Sequence, residues 1–249
     1  MATTIKTQEE IKTIKEGGKI LATVIKEIEK MAKPGITTLE LDRASEALIV
    51  SMGAKPAFKG YEGFPYSLCA SVNENIVHGY PSKYILKDGD ILKLDLGVLY
   101  KGFNTDSAIT VAVGNVSYEA KRLMNVTKKS LRLGIKKAKV GNTIGDIGNT
   151  VQRFVEDQGF GVVRELCGHG IGKTVHEDPK IPNFGKRGSG ERLIEGMVIC
   201  IEPMVTMGDF KLRKSDDGYG YATRDNSLTA HFEHTIAITN RGPIILTDL

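Results

Sequence analysis

Residues 33–41 read KPGITTLEL and residues 139–147 read KVGNTIGDI, with Lys, Gly, Thr, an acidic residue and an apolar residue at matching positions. Thr37 with Glu40 has the spacing of a capping box, and Thr143 with Asp146 is a close variant, so each segment is expected to open a helix. Each is preceded by a longer helical pattern. Before the first copy, Thr7 and Glu10 form another capping box, and Ile11, Ile14, Leu21, Val24, Ile28 and Met31 fall on one stripe. Before the second copy, residues 118–138 play the same part, and a strand-rich stretch follows each helix pair. Two helices followed by strands, twice over, point to duplicated α+β halves around one sheet. No Pro/Gly/Ser-rich linker separates them, so residues 1–249 read as a single domain with pseudo-repeats of about 1–110 and 111–249.

Composition narrows the class. The 41% hydrophobic content is ordinary for a soluble globular chain, and no run of apolar residues is long enough to span a bilayer. The N-terminal stretch mixes charged and apolar residues and offers no secretory signal. Three cysteines without paired spacing fit a reducing compartment, so the expected location is cytoplasmic. A net charge of +4 is too small to argue for nucleic-acid binding. One basic cluster stands apart: KKSLRLGIKKAK, residues 128–139, reads as the solvated face of an amphipathic helix, with ribosomal RNA as the sharper reading.

The stretch LDLGVLYKGFNTD, residues 94–106, reads as a β-hairpin, yet it carries two aspartates, which strand interiors disfavour. Ile91, Lys93, Asp95 and Gly97 alternate with Leu92, Leu94, Leu96 and Val98, as in a half-buried strand. A turn at Tyr100 and Lys101 would place Asp95 directly opposite Asp106, where two carboxylates repel unless a cation lies between them.

The second half supplies further acids. In MVICIEPMV, Glu202 shares a strand face with Val198 and Cys200, and Pro203 holds it extended. In LTAHFEHTIAIT, Glu233 shares a face with His231 and Thr235. The segment CGHGIGKTVHEDP, residues 167–179, resembles a phosphate loop only in part, because Cys167 stands where the motif needs its first Gly. It reads better as a glycine-lined loop presenting His169 and His176. His169 would add a nitrogen ligand to the four carboxylates, a set that two divalent cations neutralise.

Together these residues resemble the type I methionine aminopeptidases of the pita-bread metallopeptidase family, in order, spacing and flanking words over essentially the whole chain. The resemblance implies an α+β pita-bread fold, two pseudo-symmetric halves with helices packed on a curved, mainly antiparallel sheet. It assigns metal ligation to Asp95, Asp106, His169, Glu202 and Glu233, and catalytic roles to His78, His176 and Glu202. Glu202 would shuttle a proton, His176 stabilise the oxyanion and His78 contact the substrate backbone. Phe58, Tyr61, Phe64, Cys69, Val175 and Tyr219 would line the substrate pocket. Val175 departs from the Phe common in bacterial members, and Tyr219 from the Trp of many. Also implied are two divalent ions drawn from Co, Mn, Fe, Zn and Ni, nascent polypeptide N-termini as substrates, and a monomer. The alternatives are an Xaa-Pro peptidase relative and a non-catalytic binding protein on the same fold.

Overall fold

The computed structural model describes residues 3–248, so residues 1, 2 and 249 of the expected domain lie outside the described residues. Helix α1 (Gln8–Met31) and helix α2 (Thr38–Ser51) start at Thr7 and Thr37, and both expected capping boxes form. Helix α3 (Tyr118–Lys137) and helix α4 (Ile144–Asp157) form the second pair, and Thr143 and Asp146 cap each other as Thr37 and Glu40 do. Each such cap contributes about 1 kcal/mol by satisfying amide groups that lack intrahelical partners.

Helix α1 buries Ile11, Ile14, Leu21, Val24 and Ile28. Met31, placed on the same stripe by spacing, is exposed at the helix end instead. Gly17 and Gly18 occupy the middle of the buried face, and a side chain at Gly18 would run into the backbone carbonyl of Leu246. The C-terminal segment therefore lies directly across the helix.

The strands form hydrogen-bonded sheets of four, three, three and five strands among the described residues. Every strand pairing is antiparallel, as in the hairpin of Ile91–Tyr100 with Phe103–Ala112. Leu21, Leu41, Leu68, Leu92, Leu94 and Leu96 join one apolar cluster between the first helix pair and this hairpin. A second cluster packs Leu131, Ile135 and Ile147 against Ile199, Ile201 and Ile236. Burial of such side chains contributes about 1.5–3 kcal/mol each, which makes these two clusters the main support of the site between them.

The hairpin corrects two expectations. Its turn is Lys101–Gly102, both with positive φ (47° and 80°), as a two-residue type I′ turn requires. This moves the register by two, so that Gly97 faces Asp106 and Asp95 faces Ala108. The aspartates are diagonal neighbours on one face, still within reach of each other. The strand is also not half-buried. Residues 91–98 are all buried, because helices cover one face and the second-half strands cover the other. Even Lys93 is only 1% exposed, with its ammonium donating to the Asn73 carbonyl at 2.7 Å.

Candidate metal centre and substrate pocket

The second-half acids lie at strand ends, a further correction to the pattern read from sequence. Glu202 follows the strand Val198–Ile201, and Glu233 sits in the break between Thr229–His231 and His234–Thr239. Ending the ladder at these points frees their side chains to turn toward the hairpin. Hydroxyl groups then stitch the two parts together. Thr235 Oγ1 accepts from the Asp106 amide at 3.0 Å and donates to the Asp106 carbonyl at 2.8 Å. Ser107 Oγ donates to the Glu233 carbonyl, and the Glu233 amide donates to Ala108 O at 2.8 Å. Thr110 Oγ1 exchanges hydrogen bonds with the backbone of His231 in the same way. These contacts bring Asp106 and Glu233 together from different halves of the sequence.

Asp95, Asp106, Glu202 and Glu233 are 2–8% exposed. Carboxylate oxygens of Asp95, Asp106 and Glu233 lie within 4.8 Å of one another. Asp95 Oδ1, Asp106 Oδ1 and Glu233 Oε1 are buried with no hydrogen-bond partner among the described residues. His169 Nδ1 donates to the Gly170 carbonyl at 2.9 Å in the tautomer that leaves Nε2 free to act as a ligand. That Nε2 is 3.9 Å from Asp106 Oδ2 and 3.7 Å from Glu202 Oε1.

Burial and then the neighbouring carboxylates push Asp106 and Glu233 well above the usual carboxylate range, and Glu202 follows for the same reasons. Burial raises Asp95 to about 6, against the opposing pull of His231. Burial lowers His169 to about 3 and His78 to about 4, with His176 the next contributor to both. His169 and His78, held neutral, therefore give the acids no cationic compensation. Unsatisfied buried carboxylates cost several kcal/mol each unless a cation takes their place. The donor set, four carboxylates and one imidazole converging on a common point, fits hard divalent ions.

The acids form the floor of a cavity of about 350 Å³. All the residues expected at the site border it: His78, Asp95, Asp106, His169, His176, Glu202 and Glu233 below, with Phe58, Tyr61, Phe64, Cys69, Val175 and Tyr219 around the sides. Phe64 contacts Tyr80 and Tyr219 at ring separations of 5.5 and 5.4 Å. Tyr80 and Tyr219 stack at 4.9 Å. Phe58 reaches the cavity because Gly97 has no side chain; a Cβ there would lie 2.6 Å from the Phe58 ring. Burial raises the Cys69 thiol well above its ordinary range, so it lines the wall as a neutral group. The Tyr61 hydroxyl lies 3.2 Å from His176 Nδ1, and the His169 and His176 rings meet edge to face at 4.5 Å. His78 takes a left-handed backbone conformation, φ 59°, just after the strand Asn75–Val77. Such a conformation is uncommon outside glycine and is concentrated at functional sites.

Sequence reasoning missed Glu62, Leu166, Lys214 and Tyr221, which complete the lining. Tyr221 alternates with Tyr219 in YGYAT, a signal that was available; Lys214 and Leu166 had none. Spacing places His231 only on a strand face with Glu233, yet its Nε2 stands 3.4 Å from Glu202 Oε2.

Residues 12–240 match metallopeptidase family M24. The chain belongs to metallopeptidase family M24. Members of this family bind divalent metal, in keeping with the acid cluster. The chain is 50% identical to a methionine aminopeptidase of Clostridium perfringens, covering 98% of each. The crystal structure of a methionine aminopeptidase from Thermotoga maritima matches with a TM-score of 0.98 at 42% identity, over 100% of both chains. A prolidase from Pyrococcus horikoshii matches at 0.79 and 26% identity, and this chain spans only 63% of it. The pita-bread M24 fold expected from sequence is thus the fold observed. Among the described residues, no helix is long and apolar enough to cross a membrane.

Proposed function

We propose that the chain is a methionine aminopeptidase, a metal-dependent hydrolase that removes the N-terminal Met from nascent polypeptides whose second residue is small. The observation that carries this reading is the cluster of buried carboxylates, three of them with an oxygen that has no hydrogen-bond partner among the described residues, at the floor of an aromatic-walled cavity. Asp95, Asp106, His169, Glu202 and Glu233 would hold two divalent ions, with Co, Mn, Fe, Zn and Ni all suited to such ligands. When bound, the metal pair supplies a Lewis acid for the scissile carbonyl and a nucleophile at neutral pH.

The chain's own groups then perform the positioning and proton handling. Glu202 takes and returns a proton at its carboxylate, where Oε2 stands beside His231. His176 donates to the developing oxyanion, with Tyr61 close to its other ring nitrogen. His78 contacts the substrate backbone near the scissile amide. The Met side chain occupies the space between Phe58, Phe64, Cys69 and Tyr219, where sulfur–aromatic contacts contribute about 0.3–1.5 kcal/mol. An α-amine held at the floor limits cleavage to the first residue.

The enzyme works as a cytoplasmic monomer. The exposed basic face of α3, with Lys128, Lys129, Arg132 and Lys136 around the buried Leu131 and Ile135, is a candidate contact for the ribosome. The Xaa-Pro reading and the non-catalytic reading are less favoured, the first by the partial coverage of prolidase and the second by a complete set of buried acids. The test is hydrolysis of Met-Ala-Ser by purified protein with added Co²⁺ or Mn²⁺. Release of free Met supports the proposal; comparable kcat/KM on Xaa-Pro peptides, or no hydrolysis, overturns it.

A further inference from the structure

We propose that Lys6 and Glu177 are positioning residues that strap the His176 loop to the N-terminal segment, so that catalysis depends on Lys6, which lies far in sequence from every catalytic group. The inference rests on the aminopeptidase reading of the site.

His176 sits on an exposed stretch of the loop, and its ring contacts are those with Tyr61 and the edge of His169. Beyond those two contacts, its position is set through the backbone. One anchor is Asn104, whose amide donates to Gly172 O at 2.8 Å and whose side chain donates to Lys173 O at 3.1 Å. The other is Glu177, the next residue after His176. Glu177 Oε1 accepts from the Thr174 amide at 3.2 Å, and the Thr174 hydroxyl donates to the His176 carbonyl at 2.9 Å. Glu177 Oε2 accepts from Lys6 Nζ at 2.7 Å and from the Thr4 hydroxyl. The Lys6 and Glu177 side chains are only 5% and 11% exposed.

The segment carrying Lys6 is itself fixed. Ile5 bridges Met197, and the Lys6 amide donates to Gly196 O at 2.8 Å. Gly172 admits the Lys6 stem, since a Cβ there would lie 2.6 Å from Lys6 Cε. Burial opposes ionisation of Glu177, but hydrogen bonds from Lys6, Thr4 and Thr174 outweigh it and hold the carboxyl below its ordinary range. Removing the ammonium alone leaves a buried carboxylate with its cation gone, which draws Glu177 toward water and releases Thr174. A sub-ångström displacement of His176 then costs catalysis without altering the metal ligands or the pocket walls.

A double-mutant cycle separates this from mere structural support. Lys6→Met is expected to lower kcat on Met-Ala-Ser about tenfold with KM little changed, and to cost less than about twofold in a His176→Ala background. Amide exchange at residues 172–177 should accelerate, while that of the strand Ile91–Tyr100 should not. Equal losses in both backgrounds, an unchanged kcat, or unaltered exchange in the loop overturns the proposal. Should Lys6→Met not fold, Lys6→Met/Glu177→Leu, which leaves no unpaired buried charge and removes the acceptor of the Thr174 amide, takes its place with the same expected outcomes. Failure of the unaltered protein to release Met refutes the aminopeptidase reading instead, and the exchange measurement then decides the strap alone.

Discussion

Asp106 and Phe64 border the same cavity and are equally buried, at 4% and 3% exposed, yet they are held in different ways. Asp106 lies within a ten-residue strand, and Thr235 engages both its amide and its carbonyl. Phe64 follows a short 3₁₀ turn and is held by ring contacts with Tyr66, Tyr80 and Tyr219. The floor is thus set by backbone geometry and hydroxyl bridges, whereas the wall around Phe64 is set by side-chain packing on a loop. A carboxylate displaced by an ångström loses its function, but a ring displaced by an ångström can repack. Change at the floor should act on chemistry, and change at the wall on selectivity.

The sharpest way to break that contrast is Asp106→Asn. Peptidase activity should be abolished while far-UV circular dichroism is retained, and the metal-free protein should melt no lower than the unaltered one, because a buried acid raised well above its ordinary range has been removed. Loss of the fold would give Asp106 a structural role and erase the distinction. His176→Ala, at the margin between floor and wall, should lower kcat on Met-Ala-Ser by about 10², as for loss of one preorganised oxyanion donor. An unchanged kcat would assign His176 to the wall.

The floor also predicts a pH dependence that the wall lacks. In the metal-free protein Asp95 has a folded value of about 6, above its ordinary 3.8. Its protonated form therefore favours folding below the ordinary value, and that contribution is lost as pH rises through about 6. Metal binding requires the ionised acids, while His169, lowered to about 3, stays neutral throughout. The rise in Tm on adding Mn²⁺ should consequently grow between pH 5 and 8, by roughly several degrees, and a pH-independent rise would contradict the ligand assignment.

The smallest effect belongs to the wall. Val175 packs among Phe58, Phe64 and Cys69, and Val175→Phe should tighten the preference for Met over Leu and for Met-Ala-Ser over Met-Lys-Ser while leaving activity within about tenfold. Loss of activity comparable to that of Asp106→Asn would show that wall and floor are not separable.

Much of this was local and so legible along the chain. The capping boxes at Thr7, Thr37 and Thr143 depend on residues three apart, and the helices begin where those pairs stand. The candidate ligands were recognisable because acids and histidines in otherwise apolar, glycine-rich words have no local reason to be there. What spacing could not supply was the hairpin register, since a turn at Lys101–Gly102 and one at Tyr100–Lys101 differ only in which residues accept positive φ. Nor could it show that residues 91–98 are buried on both faces, because alternation reports one covering layer and the second is contributed by a distant part of the chain.

The sequence by itself determined the helix starts, the donor types and the order in which they arrive, because caps and ligand chemistry are properties of single residues and near neighbours. Only the tertiary structure decided that Thr235, Ser107 and Thr110 would seam one half to the other, that Gly97 would admit Phe58, and that Lys6 would reach Glu177. Those contacts join residues from distant parts of the chain, and they exist only once packing has brought the backbones close enough for a hydroxyl, a missing Cβ or an ammonium to matter.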